Sequence, residues 1–418
     1  MSRLRAQRAT PTPSPVCQCI MDHGSSARRV FWCVIVFLSS VEGWPLSSIW
    51  NFLPELGNRI VGNSTALSTS ARVLNFIPVL VSDECLSEDG RRSGACLNPY
   101  ECHIQGGVSN GKCALGFGVC CVFTASCGVE IYNNVTYFVS PDFPALTQEM
   151  GECIIRVKKL SSDISQFRFD LGHFQLGQPN RRTGVCDTDL FLIGEGTHQE
   201  VKICGTNNGQ HIYYDVDDVN EPIEVKIIAT QPNIYRLWEI RISQIEFKHR
   251  APAGCLQYYR EPSGIIQTMN FAVNGRHLAD QDYNICMRQE TGMCSIAYEP
   301  CDENSFKIGP PISMEDDPGS GDDSIPLSDD VGQSRGCQDR VMLPCDIEEF
   351  ITPGGGPRVC DLLHCGNSFC SGSDLPCRIE SSTLPFSIHV QFGPAIAEES
   401  PEDNLGMCLK YDQQACVV

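Results

Sequence analysis

The residues best equipped for chemistry in this chain are its cysteines, 25 among 418 residues. A thiolate can attack, hold a soft metal or form a cross-link, and spacing together with redox compartment decides which. Cys120 and Cys121 stand side by side in GKCALGFGVCC. Adjacent Cα atoms lie about 3.8 Å apart across a trans peptide, short of the roughly 4.4–6.8 Å that a disulfide spans, so these two should not bond each other. On a strand their side chains would leave on opposite faces, letting one pair staple two sides of a small module, with Phe117 as its apolar plug. Further along, Cys360, His364 and Cys365, with Cys370 and Cys377 beyond, have the ligand types of a zinc site. In an oxidising compartment disulfides claim those sulfurs first, and His364 then reads as a satisfied surface histidine.

Other reactive constellations are sparse. None of the nine histidines is followed by Glu, so HExxH is absent and zinc-protease chemistry has no ligand pair. A Ser-His-Asp triad is defined by geometry, not by sequence order, and no segment carries a recognisable nucleophile motif. The expectation is a protein that is not an enzyme and uses no cofactor. Seven acidic residues crowd Ser313 to Arg335. Aspartates so clustered could collect calcium, but the stretch has the charge and apolar poverty of a disordered, solvated loop.

The N-terminus speaks to compartment. Arg28 and Arg29 precede the apolar run VFWCVIVFLSSV, Val30 to Val41, which is followed by small residues suited to cleavage. The run falls short of the ~20 residues of a spanning helix, so residues 1–43 read as a secretory signal and no membrane span is expected. Met21 would give the more conventional start. Cleavage near Gly43 would remove Cys17, Cys19 and Cys33 and leave 22 cysteines, an even number that allows full pairing. It would also leave 26 basic against 49 acidic residues, a formal net charge of −23. Such a surface repels nucleic acid and anionic membranes and favours a basic protein partner. The sequons at Asn63 and Asn134 fit a secreted glycoprotein.

The elements that must position these groups are strands. Residues 44–84 lack cysteine and sustained periodicity and read as a disordered leader. Residues 85–121 hold six cysteines in 37 positions, too little apolar content for a core without disulfides. From Cys127 the texture changes to short runs of period two, among them CIIRVKKL, LFLIG, IEVKIIA and LWEIRISQI, joined by links such as GQPNRRTG and GTNNGQ. Alternation without a helical stripe predicts an all-β fold, with an antiparallel β-sandwich over residues 127–248. Residues 255–416 repeat the texture around the acidic insert 313–335.

These residues carry two resemblances. The order Cys85, Cys96, Cys102, Cys113, Cys120-Cys121 resembles the clip module of arthropod immune serine proteases and their inactive relatives. That resemblance implies bridges Cys85–Cys120, Cys96–Cys113 and Cys102–Cys121. Residues 127–248 resemble a CUB domain: Cys127 with Cys153 and Cys186 with Cys204 match its two consecutive bridges, and FDLGHFQL, CDTDLFLIG and ICGTNNGQHIYYDV fall where its strands do. Residues 255–416 resemble a divergent second CUB-type jelly roll, in which Cys255 and Cys286 are disulfide candidates and the remaining connectivity is open. The combination is similar to a group of secreted arthropod proteins.

The CUB resemblance also raises calcium, which many members hold through one Glu and two Asp to engage a basic residue of a partner. Asp189 matches one ligand; the glutamate is replaced in the Leu176-Gly177-Gln178 region, and ATQPNIY has no aspartate. One carboxylate is too few for a cation that takes about six to eight oxygens, so Asp189 reads instead as a turn-forming aspartate. The expected function is that of a secreted, non-catalytic, protein-binding recognition module. A regulator or cofactor of a clip-type protease cascade and a structural component of extracellular matrix are the alternatives.

Overall fold

The computed structural model describes residues 84–272, 275–309, 337–344, 363–370, 377–394 and 403–416. The signal, the leader with Asn63, the acidic insert 313–335 and Cys360 lie outside them. Among the described residues no helix is long and apolar enough to cross a membrane.

Period-two alternation becomes a half-buried strand most plainly in Ile223–Ala229, where Ile223, Val225, Ile227 and Ala229 point into the core. Glu224 stays on the other face and pairs across the ladder with Arg156, Nε to Oε1 3.0 Å. This strand lies in a five-stranded sheet ordered Val201–Ile203, Asp189–Ile193, Ile223–Ala229, Gly151–Val157 and Glu130–Ile131. The second sheet of the sandwich runs His211–Asp215, Ile164–Gln175, Leu237–Glu246, Val135–Val139 and Thr124–Ala125. Phe138, Phe167, Phe169, Phe174, Phe191, Ile240 and Trp238 fill the space between the two sheets. Disulfides Cys127–Cys153 and Cys186–Cys204 staple its edges.

The cysteine-rich knot is a four-stranded sheet ordered Glu84–Leu86, Ser93–Leu97, Gly118–Val122 and Val108–Cys113, with one short helix, Pro99–Ile104. The helix starts where Asn98 accepts a hydrogen bond from the Tyr100 N–H and Pro99 takes the first turn, which needs no donor there. Cys120 reaches Cys85 and Cys121 reaches Cys102 from neighbouring positions of one strand, while Cys96 pairs with Cys113. The apolar plug is not Phe117. Ala114 and Leu115 take left-handed φ of 48° and 56°, and the turn throws Leu115 and Phe117 into solvent, at 100% and 61% exposure. Leu97 and Phe123 pack around Cys102 and Cys121 instead.

Five residues separate Cys121 from Cys127, and the intervening Thr124–Ala125 strand joins the first sandwich by pairing parallel to Val135–Val139. Val122 packs on Val135 and Tyr137, and the Ser93 N–H donates to Tyr137 Oη at 2.7 Å. Arg92 clamps Glu239 at 2.6 Å. The knot therefore sits on the outer face of the Leu237–Glu246 sheet.

The second sandwich carries one sheet ordered Cys255–Tyr259, Gln281–Met287, Ser387–Phe392, Arg340–Met342 and Leu363–His364. Facing it are Ser263–Gln267, Gly406–Ala415, Met293–Pro300 and Ile379–Ser381. Its described disulfides are Cys255–Cys286, Cys294–Cys416, Cys301–Cys408, Cys337–Cys365 and Cys370–Cys377. Three sulfurs of the candidate zinc set are thus consumed. His364 is a buried histidine, not a surface one: it is 5% exposed, with Nδ1 3.0 Å from the Phe369 carbonyl and its ring against Phe369.

Candidate functional site

Asp189 opens the strand Asp189–Ile193 at the loop end of the first sandwich, so it is a strand residue and not the turn former expected. Its carboxylate is fully committed. Oδ2 accepts from Arg236 Nε at 2.7 Å and from the Gly177 N–H at 2.6 Å, and Oδ1 accepts from Arg236 Nη2 at 2.7 Å. Gly177 is required there because a Cβ would press on the Thr188 hydroxyl and the Asp189 carboxylate. A guanidinium has five N–H donors. The remaining three of Arg236 reach the carbonyls of Gln231, Ile234 and Glu149 at 2.8, 3.2 and 3.4 Å. Arg236 is 0% exposed and Asp189 1%, which makes this a buried, completely satisfied ion pair.

These residues do not fit calcium. The one carboxylate of the expected ligand set is already neutralised, and a divalent cation placed beside it would face the Arg236 guanidinium at van der Waals range. Among the described residues no group of three or more His, Cys, Asp or Glu side chains could hold a metal. Arg236 was invisible as a site residue in the sequence: it lies between Tyr235 and Leu237 at the start of an alternating run, and its one signal is a charge two positions before buried Trp238, in phase with the core-facing residues.

The same loops dock the second sandwich. Residues 176–177 and 205 exchange backbone hydrogen bonds, Leu176 N to Gly205 O and Gly205 N to Gly177 O, both at 2.9 Å. Onto them falls Asn270, whose N–H donates to Asn207 Oδ1 at 2.7 Å and whose Oδ1 accepts from the Thr206 N–H at 2.8 Å. Its amide nitrogen donates to Gln178 Oε1 and the Arg276 carbonyl. Asn270 is fully buried at φ 61°, a left-handed conformation that asparagine tolerates better than most residues. Gly205 leaves room for it, since a Cβ would collide with the Asn270 amide.

A second contact crosses the junction at His211, whose Nε2 accepts from the Tyr258 N–H at 3.0 Å while its ring meets Tyr213 and Tyr259 edge-on. Burial, aided by the Arg168 cation, pulls its pKa down to about 4, so it is neutral at physiological pH.

Among the described residues two histidines stand 3.2 Å from an aspartate: His389 Nε2 from Asp282 Oδ1, and buried His277, whose Nε2 faces Asp339 Oδ2 and lies 3.0 Å from Asn404 Oδ1. Its other partners are Arg276 and the Leu278 carbonyl, with no hydroxyl or thiol among them. His277 and Asn404 are buried within the second sandwich. Asn134, the described sequon acceptor, is exposed beside Val135–Val139.

Among solved structures, the CUB1-EGF-CUB2 domains of rat MASP-1 share 12% identity, covering 69% of this chain and 99% of theirs at a TM-score of 0.24. The corresponding human MASP-1/3 domains share 12%, covering 68% and 100% at 0.23. The extracellular region of zebrafish Gpr126/Adgrg6 shares 11%, covering 70% of this chain and 37% of that one at 0.25. No curated protein matches the chain. The family model of the animal CUB domain matches residues 252–414, the sandwich whose extra cysteines loosened its resemblance in the sequence.

Proposed function

We propose that this is a secreted, non-catalytic recognition protein that binds an extracellular protein through two CUB-type sandwiches, residues 127–248 and 255–416. The observation that carries the reading is the buried junction at Asn207 and Asn270, which locks two disulfide-stapled sandwiches into one rigid scaffold. Such a scaffold presents loops and outer faces, where binding usually resides. Ten disulfides among the described residues support an oxidising, extracellular setting. The formal net charge of −20 favours a cationic partner. Immobilised full chain should capture from extracellular fluid a saturable protein that high salt releases; capture of nothing saturable removes the basis of the reading.

The knot favours a second reading, docking to a protease cascade, because its tip presents Leu115 and Phe117 to solvent. Changing both to Asp discriminates the two. Loss of partner capture with an unchanged melt assigns binding to the knot, and full retention assigns it to the sandwiches.

A further inference from the structure

The knot, the first sandwich and the start of the second enclose a groove of about 680 Å³. Its floor follows from strand alternation. Trp238, Ile240 and Ile242 of Leu237–Glu246 point into the core, so Arg241 and Ser243 point outward into the groove. Arg168 joins them from the adjacent strand, in register with Ser243. The knot strand Ser93–Leu97 forms one wall; Lys248 and Arg260 line the other side.

Two observations mark the groove as a binding site. The first is charge. Arg168, Arg241, Lys248 and Arg260 line it against only Glu84 and Glu246, in a chain whose formal net charge is −20. Arg168 and Arg241 share Asp170, Arg241 also reaches Glu84, and Lys248 pairs with Glu246 at 2.7 Å. Arg260 makes no ion pair among the described residues: its Nη2 donates to the His249 carbonyl at 3.1 Å and its guanidinium lies over Tyr258. The second is an orphan. Ser243, 9% exposed, has an Oγ with no hydrogen-bond partner among the described residues. A buried hydroxyl left unpaired is costly, and a turn of the Ser243 side chain toward the groove would let a ligand satisfy it.

We propose that this three-module groove binds an acidic, partly apolar peptide segment of a partner protein, with Arg260 and Ser243 as the receiving groups. The cations favour carboxylates. Leu160 and Ile245 line the groove among them, and Leu160 is 55% exposed. Aliphatic side chains of a peptide would cover these two, whereas a sulfated glycan has none to offer. This site is distinct from the acidic exterior invoked above for a basic partner, so either can fail alone. Asn134 also lines the groove, and a glycan on it would stand in its mouth.

The test uses the full chain, after enzymatic removal of N-glycans, and a fluorescent octapeptide of alternating Glu and Leu. A Lys/Leu octapeptide and a heparin hexasaccharide serve as controls. Saturable binding of the Glu/Leu peptide should weaken roughly tenfold in Arg260→Gln. It should weaken severalfold in Ser243→Ala, whose thermal melt stays level or rises because the orphan hydroxyl is gone. Failure of the Glu/Leu peptide to saturate overturns the proposal, as does equal binding by Arg260→Gln. Binding of the hexasaccharide alone would assign the groove to glycans and overturn it equally.

Discussion

Two arginines of the first sandwich, Arg236 and Arg241, each engage a carboxylate of the same domain, yet their surroundings differ in kind. Arg236 is sealed, with all five donors used and Asp189 as its counter-ion. Arg241 is 27% exposed at the side chain, shares Asp170 with Arg168 and reaches into the knot through Ser93 and Glu84. The difference is one of dielectric. A charge removed from water has no alternative to its partner, whereas a half-exposed one can trade partners against solvent or ligand at little cost. The buried arginine is thus a structural keystone, and the open one belongs to a surface that can bind.

The largest expected effect breaks the keystone. Arg236→Ala strands the Asp189 carboxylate in the interior and should destabilise the protein by about 3–5 kcal/mol in urea titrations. Replacing both partners, Asp189→Leu with Arg236→Met, should recover most of that loss, because the cost lies in the unpaired charge. Calcium or EDTA should leave the melting temperature of the native chain unchanged; stabilisation by calcium would show that Asp189 has another partner.

Next comes acid. His211 is neutral when folded, with its pKa near 4 against an ordinary 6.5, so between those values the unfolded chain binds the extra proton. Stability is fully present above pH 6.5 and falls as the pH drops toward 4, by on the order of 3 kcal/mol. Denaturant titrations across that range should show the slope, and His211→Gln should flatten it.

The junction ranks third. Asn270→Ala removes the side-chain acceptor of the Thr206 N–H and the donor to Gln178 Oε1, while the backbone bond to Asn207 survives, and should cost about 1–3 kcal/mol. Hydrogen exchange at Thr206 should speed up first. On the open side the effects shrink. Arg241→Gln should cost no more than about 1 kcal/mol at its half-exposed site. Leu115→Gly should gain roughly 1 kcal/mol, since a fully exposed leucine at φ 56° contributes strain and no burial. A large loss at Arg241 would collapse the distinction between sealed and open sites.

Much of the fold was legible because strand alternation is local. In Ile223–Ala229 and Leu237–Glu246 each residue's face follows from its neighbours, and the structure pairs both strands antiparallel with the strands beside them. The site was far less legible. Reading Asp189 alone suggested a turn or a weak metal ligand, since its partner stands 47 residues away and carries no motif of its own. Phe117 was misread for a related reason: apolar character suggested a plug, and only the left-handed turn at Ala114 and Leu115 shows that it faces solvent.

By itself the sequence determined what depends on adjacency and residue chemistry: strands from period-two runs, cross-linking from cysteine number, an acidic exterior from charge. It also disfavoured a bond between Cys120 and Cys121, since their separation is set by one peptide unit. Tertiary structure alone decided which loops meet at the end of a sheet, and so that Arg236 fills the place beside Asp189. It decided likewise that Asn270 joins two sandwiches and that Arg241, Arg260 and the knot border one groove. Such encounters depend on chain return over tens of residues, and no local pattern encodes where a returning loop will land.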